Sequence, residues 1–255
     1  MTQDCHGSLE RIVPNALAAD QATGQDTLRL HVERYRFAAR HLAGTALLDL
    51  ACGVGYGSAI LADAAADRRV VAADVSVEAL RHARQQHRHP RVSLVCGDGG
   101  AWGRPGSFDA IVSLETLEHV PDPQALFHTF VTLLRPGGRL IASVPTTPSV
   151  DANPHHRTDF TERSFLRLGA ESRLEVVELL RQRQPYSALA VVLRRERRSQ
   201  DLRRGLVGYY ARHPGAAFRR LASLVRDGFA NRYLTVVWRL PGAARPGAAS
   251  PAQGG

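Results

Sequence analysis

The stretch "LLDLACGVGYGS", residues 47–58, decides the fold class. An apolar run typical of a buried strand leads into a loop with glycine at every second position, Gly53, Gly55 and Gly57. Glycines at the end of a parallel strand let the backbone approach a ligand closely, although a tight strand-to-helix turn is an alternative interpretation. A nicotinamide dinucleotide fold would show G-x-G-x-x-G, whereas residue 58 is serine.

Around this stretch, short apolar strands alternate with helical patterns. Such alternation predicts an α/β fold with a mostly parallel sheet covered by helices on both faces. The predicted helices are 27–44, 58–66, 76–87, 123–138 and 161–171, and the predicted strands are 46–51, 69–74, 91–98, 108–114, 139–145, 174–180 and 232–240. Ser76 and Thr161 are the predicted N-caps of two of the helices, and Pro136-Gly137-Gly138 is the predicted end of helix 123–138.

The chain divides into five predicted segments. These are an N-terminal helical cap (1–44), a core (45–184), an arginine-rich helical insertion (185–230), a closing strand (231–240) and a disordered tail (241–255) rich in Gly, Ala and Pro.

Charge is unevenly distributed. Residues 1–180 carry 18 arginines and 21 acidic residues, whereas residues 181–255 carry 15 arginines and 3 acidic residues; the chain has no lysine. The basic final third predicts an anionic partner, such as a membrane surface, nucleic acid or phosphorylated substrate, with solvated surface as the alternative. The chain has no run of about 18 apolar residues, so no transmembrane segment is predicted. The N-terminus does not resemble a signal peptide. With three scattered cysteines, we expect a cytoplasmic protein with reduced thiols.

Three acidic residues mark the ends of predicted strands. Asp49 lies in the first strand, Asp74 ends the second and Asp98 ends the third. Each alone is explained by capping or solvation. Ligands bind at the carboxyl edge of an open parallel sheet, so the three together predict a ligand site that includes an ammonium group opposite Asp49.

These motifs resemble the class I S-adenosylmethionine-dependent methyltransferases over residues 45–180. The resemblance is carried by "LLDLACGVGYGS", "VVAADVS", "VCGDGG", "FDAIVSLETLEHVPDP" and "LLRPGGRLIASVP". It implies a Rossmann-like seven-stranded sheet whose last strand is antiparallel, with helical additions. It also implies S-adenosylmethionine as the cofactor and assigns these residues: Gly53 and Gly55 below the cofactor, Asp74 at the ribose, Asp98 and Gly99 at the adenine, and Asp49 with Leu114 and Glu115 at the methionine end.

A second motif, E-x-x-E-H, lies in "SLETLEHVPDP", residues 113–123. If the segment is helical, Glu115, Glu118 and His119 share one face. With "NPHHRTDFTERSF" (153–165), the motif resembles two groups of methyltransferases. These are the ubiquinone-pathway O-methyltransferases and the small-RNA 3′-terminal 2′-O-methyltransferases, both of which use a divalent ion. Alignment with that element implies His156 as the fourth ligand.

Two carboxylates and two imidazoles suit Mg²⁺, Mn²⁺ or Zn²⁺. A bound ion would acidify an acceptor hydroxyl, as it does bound water. Alternatively, His119 or His156 is a metal-free general base, or each is a capping or surface residue.

The acceptor is predicted from looser resemblances. "ERIVP" (10–14), "HVERYRFA" (31–38) and "NPHHRTDFT" (153–161) resemble bacterial methyltransferases found with saccharide genes, and more narrowly the oligosaccharide methyltransferases of the mycofactocin pathway. We therefore expect O-methylation of a saccharide hydroxyl. Arg34 and Tyr35 are interpreted as a plain helix face, with closure over the cofactor as the alternative.

Other functions remain open. One is O-methylation of a lipid-quinone phenol or another small natural product, with residues 206–229 as an interfacial helix, although packing on the core would give the same apolar pattern. RNA ribose 2′-O-methylation is another, without a recognisable RNA-binding module. A non-catalytic S-adenosylmethionine-binding protein belongs to a different class.

Overall fold

A computed structural model describes residues 22–98, 103–186, 203 and 205–242 of the chain. A single seven-stranded sheet forms the centre, in the order β3-β2-β1-β4-β5-β7-β6. Its strands are β1 (Ala46–Leu50), β2 (Arg69–Asp74), β3 (Val92–Cys96), β4 (Phe108–Leu114), β5 (Leu134–Pro145), β6 (Glu175–Pro185) and β7 (Ala230–Arg239). The described helices are α1 (Ala22–His41), α2 (Tyr56–Asp63), α3 (Val77–Gln86), α4 (Pro123–Leu133), α5 (Glu162–Glu171), α6 (Leu206–Arg212) and α7 (Pro214–Asp227).

The sheet is parallel except at its last strand. β1 pairs in parallel with both β2 and β4, whereas β7 runs antiparallel between β5 and β6. The predicted Rossmann-like architecture with an antiparallel last strand is therefore confirmed. The carboxyl ends of β1, β2, β3, β4 and β5 lie at one edge, where ligands of open α/β sheets bind.

Neighbouring residues of β1 face opposite sides of the sheet and so enter different cores. Leu48 belongs to a cluster with Phe127 and Trp238, whereas Leu47 belongs to one with Phe37. Both leucines are essentially inaccessible to solvent. Burial on both faces explains why the strand is apolar throughout instead of alternating.

The predicted helix 123–138 ends five residues early. α4 ends at Leu133, and Pro136-Gly137-Gly138 lies inside β5. The N–H of Gly137, at φ +82°, donates to the carbonyl of Leu240, and the N–H of Leu240 donates to the carbonyl of Gly138. Pairing with the chain that follows β7 therefore draws these residues into the sheet.

Parts of the predicted segments lie outside the described residues, namely 1–21, 99–102, 187–202, 204 and 243–255. α6 and α7 lie in the predicted arginine-rich insertion, and β7 coincides with the predicted closing strand to within one residue. Among the described residues, the helices are too short or too polar to cross a membrane.

Candidate active site

The glycine loop leaves open space at the carboxyl end of β1. Gly53 and Gly55 both adopt left-handed backbone conformations, with φ of +56° and +83°. A Cβ on Gly53 would meet no atom within 4 Å, whereas one on Gly55 would lie 2.7 Å from the Cβ of Ala83. Gly55 is therefore required for packing against α3. Gly53 exposes its backbone on the side where a ligand can approach.

Asp74 links this loop to the next strand. Its Oδ2 accepts a hydrogen bond from the N–H of Gly53 at 2.9 Å, and its Oδ1 accepts one from the N–H of Ser76 at 2.8 Å. A carboxylate oxygen has more than one acceptor direction and can accept more than one hydrogen bond. Two backbone donors thus orient Asp74, the residue that is predicted to bind the ribose.

Asp49 lies beneath the loop and does not face the open space. It is completely buried, and its carboxylate accepts hydrogen bonds from the hydroxyls of Ser58 (2.6 Å) and Tyr35 (3.2 Å). Burial raises the pKa of Asp49 to about 7, although the bonds from Ser58 and Tyr35 lower it. Two hydroxyls cover the carboxylate of Asp49 in this arrangement, and its place opposite an ammonium group stays a prediction.

Tyr35 is one of two residues whose interpretation as a plain helix face is wrong. Its ring packs on Gly57, where an added Cβ would lie 2.0 Å from the phenol carbon Cζ. Arg34, the second, is also buried. The pattern of α1 could not reveal these contacts because the partners come from β1, α2 and β6.

Of the two residues that are predicted to bind adenine, the structure describes only Asp98. Asp98 is exposed just after β3, and Gly99 lies outside the described residues. Leu114 is buried at the end of β4, and its carbonyl accepts a hydrogen bond from the hydroxyl of Thr116.

Glu115 does not join the predicted metal ligands. Segment 115–120 is an irregular turn, not a helix, and Glu115 has φ +52°. Its Oε1 accepts a hydrogen bond from the hydroxyl of Ser143 at 2.8 Å and lies 3.4 Å from Nη1 of Arg34. The predicted four-residue set therefore needs correction, because the turn directs Glu115 away from the other three residues.

Those other three residues come together. Ligand atoms of Glu118, His119 and His156 lie within 4.8 Å of one another. Glu118 is buried, and the two imidazole rings meet edge to face at 4.7 Å. Nδ1 of His119 lies 3.3 Å from the carbonyl oxygen of His155. Since a carbonyl only accepts, that Nδ1 carries the proton, and Nε2 of a neutral ring carries the lone pair that a metal ion would use.

Backbone hydrogen bonds bring His156 to this position. The N–H groups of Arg157 and Thr158 both donate to the carbonyl of Glu118, at 2.7 and 3.2 Å. These bonds fasten the loop after β5 (146–161) to the turn after β4. Ser149, whose Oγ is 2.6 Å from Nδ1 of His156, further orients the ring.

A buried ion pair holds the same loop from the other side. Asp151 binds the guanidinium of Arg220 in α7 and accepts a hydrogen bond from the hydroxyl of Tyr210 in α6 at 2.6 Å. Burial alone would raise the pKa of Asp151, but the bonds from Arg220 and Tyr210 lower it. Sequence reasoning missed this contact, since a lone arginine in a basic segment gives no sign of its partner.

The chain matches the methyltransferase domain family over residues 48–142. A relative from Mycolicibacterium smegmatis, named "Probable S-adenosylmethionine-dependent methyltransferase", is 29% identical over 68% of this chain and 72% of its own. A ubiquinone biosynthesis O-methyltransferase of Xanthomonas euvesicatoria pv. vesicatoria is 36% identical over 44% of this chain, but the match covers only 48% of that enzyme.

Solved structures share the fold. A candidate methyltransferase of Bacillus halodurans C-125 aligns with a TM-score of 0.63 and 18% identity, covering 82% of this chain and 98% of that one. Geranyl diphosphate methyltransferase in complex with S-adenosylmethionine aligns with a TM-score of 0.59 and 17% identity, covering 90% and 94%. The matched domain, the relatives and the sheet agree: the chain contains a methyltransferase domain with the fold of class I S-adenosylmethionine-dependent methyltransferases.

Proposed function

We propose that this methyltransferase transfers the methyl group of S-adenosylmethionine to a hydroxyl of a saccharide-type acceptor, assisted by a divalent ion held by Glu118, His119 and His156. The observation that carries the proposal is the convergence of these three side chains from the β4 and β5 ends, at the edge that also presents the glycine loop.

The donor set fits a divalent cation. One carboxylate and two imidazoles resemble the ligands of catalytic sites that leave positions open for substrate. With two imidazoles and Glu115 engaged elsewhere, Zn²⁺ or Mn²⁺ suits the set better than Mg²⁺. When bound, the ion would lower the pKa of a coordinated hydroxyl. The residues of the chain hold the donor and acceptor in line, and transfer from a sulfonium needs little more than that alignment.

The low acidity of an aliphatic hydroxyl makes an alcohol a better candidate than a phenol for the acceptor of a metal-assisted transfer. A phenol with a pKa near 10 already ionises with modest help, so a cation adds less to its reactivity. An aliphatic hydroxyl is a far weaker acid and gains most from a cation. The similarity to ubiquinone O-methyltransferases keeps a phenolic acceptor as the second candidate.

A chelation experiment tests the metal. Excess EDTA should abolish methyl transfer while S-adenosylmethionine binding persists, and Mn²⁺ should restore turnover. In an EPR titration with Mn²⁺ alone, His156→Ala should lose the bound ion. His155→Ala is the matched control, because it retains the backbone carbonyl that His119 contacts. Full activity in EDTA would leave His119 or His156 as a metal-free base.

A labelled methyl donor tests the acceptor. Incubation with a panel of saccharides and of phenols should place label in alkyl methyl ethers. Label only in aryl methyl ethers would make the phenol candidate correct, and binding of the donor without transfer to any hydroxyl would support the non-catalytic alternative.

A further inference from the structure

Helix α7 packs on the protein with its small and polar residues. Ala216 and Ser223 are buried on its inner face, where Arg220 reaches Asp151. A surface helix that packs on a core normally turns its large apolar residues inward. α7 has the reverse arrangement, so the interpretation of residues 206–229 as packed on the core by apolar residues is wrong for this helix, whereas Leu206, Tyr209 and Tyr210 of α6 are partly buried.

The outer face of α7 consists of Phe218, Leu221 and Val225. Their side chains are 73%, 60% and 82% exposed, and Phe229, just after the helix, is 53% exposed. Spacings of three and four residues place the first three on one side of the helix. Single exposed apolar residues are common, but an aligned group of large ones indicates an interaction surface.

The charge of this segment is mainly positive. Between residues 202 and 226 the chain has six arginines and no acidic residue, and the helix then ends with Asp227. Arg219 and Arg226, both exposed and seven residues apart, follow one another along the helix and border the outer face. An apolar stripe bordered by arginines is complementary to a surface that combines hydrocarbon with negative charge.

We propose that the outer face of α7 docks on an anionic lipid membrane surface. The apolar side chains would enter the boundary between head groups and acyl chains, and the arginines would contact lipid phosphates. A second copy of this chain fits less well, because a twofold interface would bring Arg219 and Arg226 close to the same arginines of the partner. RNA would engage the arginines but leave Leu221 and Val225 in water.

The docking surface is coupled to the candidate site. Arg220 and Tyr210 bind Asp151, which belongs to the same loop as His156. Docking would therefore hold this loop close to the bilayer. The inference goes beyond the proposed methyl transfer and does not depend on which acceptor is used.

Vesicle flotation tests the proposal with the full chain. Vesicles containing about a third phosphatidylglycerol in phosphatidylcholine should carry the protein to the top of the gradient at low salt, and vesicles of phosphatidylcholine alone should carry much less. Each arginine near an anionic surface contributes about fivefold in binding, so Arg219→Glu and Arg226→Glu should each weaken flotation by at least that factor. Arg84→Glu, at an exposed position of α3, should leave flotation unchanged.

The apolar contribution needs its own variants. Phe218→Asp and Val225→Asp should each reduce the vesicle-bound fraction at least tenfold without changing the thermal midpoint or S-adenosylmethionine binding. The matched control is Val176→Asp, because Val176 is 50% exposed on β6, away from α7.

Three results would overturn the proposal. One is no flotation with anionic vesicles at low salt. Another is a dimer of the wild-type chain that Val225→Asp converts to a monomer. The third is arginine-dependent binding to a single-stranded RNA homopolymer with no vesicle binding.

Discussion

The guanidinium of Arg34, on the first helix, lies 3.4 Å from the carboxylate of Glu115, just after the carboxyl end of β4. The same guanidinium donates from Nε to Oε1 of Gln182 at 2.7 Å and stacks 4.2 Å from the ring centre of Tyr233. Arg34 thus joins α1 to the turn after β4 and to the last two strands, and it explains why Glu115 is directed away from His119.

Removing this arginine should destabilise the fold. Arg34→Gln would leave Glu115 and Gln182 without their shared donor, and an unsatisfied buried group costs about 1–3 kcal/mol. Urea unfolding should show that loss. Arg36→Gln, at an exposed position of the same helix, should stay within about 0.5 kcal/mol of wild type. Equal stability of the two variants would mean that the ion pair contributes nothing.

The cofactor site predicts a loss of affinity in Asp74→Ala. The carboxylate orients Gly53 and is expected to bind the ribose hydroxyls through charge-assisted hydrogen bonds of roughly 1.5–3 kcal/mol each. Calorimetry should show the Kd for S-adenosylmethionine rising by about tenfold or more. Asp67→Ala, an exposed position, is the control. An unchanged Kd in Asp74→Ala would remove Asp74 from the site.

The buried Asp49 predicts a pH dependence of stability. Its folded-state pKa is raised from the model-peptide value to about 7, so the folded protein retains a proton that the unfolded chain releases near pH 4. The contribution of Asp49 is therefore greatest at low pH and is lost as pH rises from about 4 to 7. Asp49→Asn removes this titration. The thermal midpoint of Asp49→Asn minus that of wild type should be larger at pH 8 than at pH 5. A difference independent of pH would contradict the prediction.

Gly57 predicts a steric effect in the same cluster. Gly57→Ala would force a Cβ into the ring of Tyr35 and displace the hydroxyl that binds Asp49. Overpacking of this kind costs about 1–3 kcal/mol. Gly208→Ala is the matched control, because its Cβ would approach only the flexible end of Arg212, at 3.4 Å. Urea unfolding should show a loss in the first variant and none in the second. Tyr35→Leu should relieve part of the loss in Gly57→Ala if the clash with the ring is its cause.

The sequence by itself determined the sheet, because local patterns carry that information. The apolar strands and the caps Ser76 and Thr161 depend on neighbours along the chain. The structure has both caps and all seven strands at the predicted places, although β5 begins five residues earlier and β6 ends five residues later than predicted. The cofactor loop was equally readable, since glycine spacing after a strand is a local signal. The end of α4 was not, because distant Leu240 pairs with the glycines that appeared to stop the helix.

Only the tertiary structure decided which side chains meet. Spacing alone grouped Glu115 with Glu118, but the left-handed turn at Glu115 and the arginine from α1 separate their carboxylates. In the same way, the pattern of residues 206–229 was compatible with large apolar residues that face the core and with large apolar residues that face outward. The ion pair of Arg220 with Asp151 sets the rotation of α7 and leaves Phe218 and Val225 outside. A periodic pattern defines the faces of a helix, whereas a contact with a distant residue decides which face is buried.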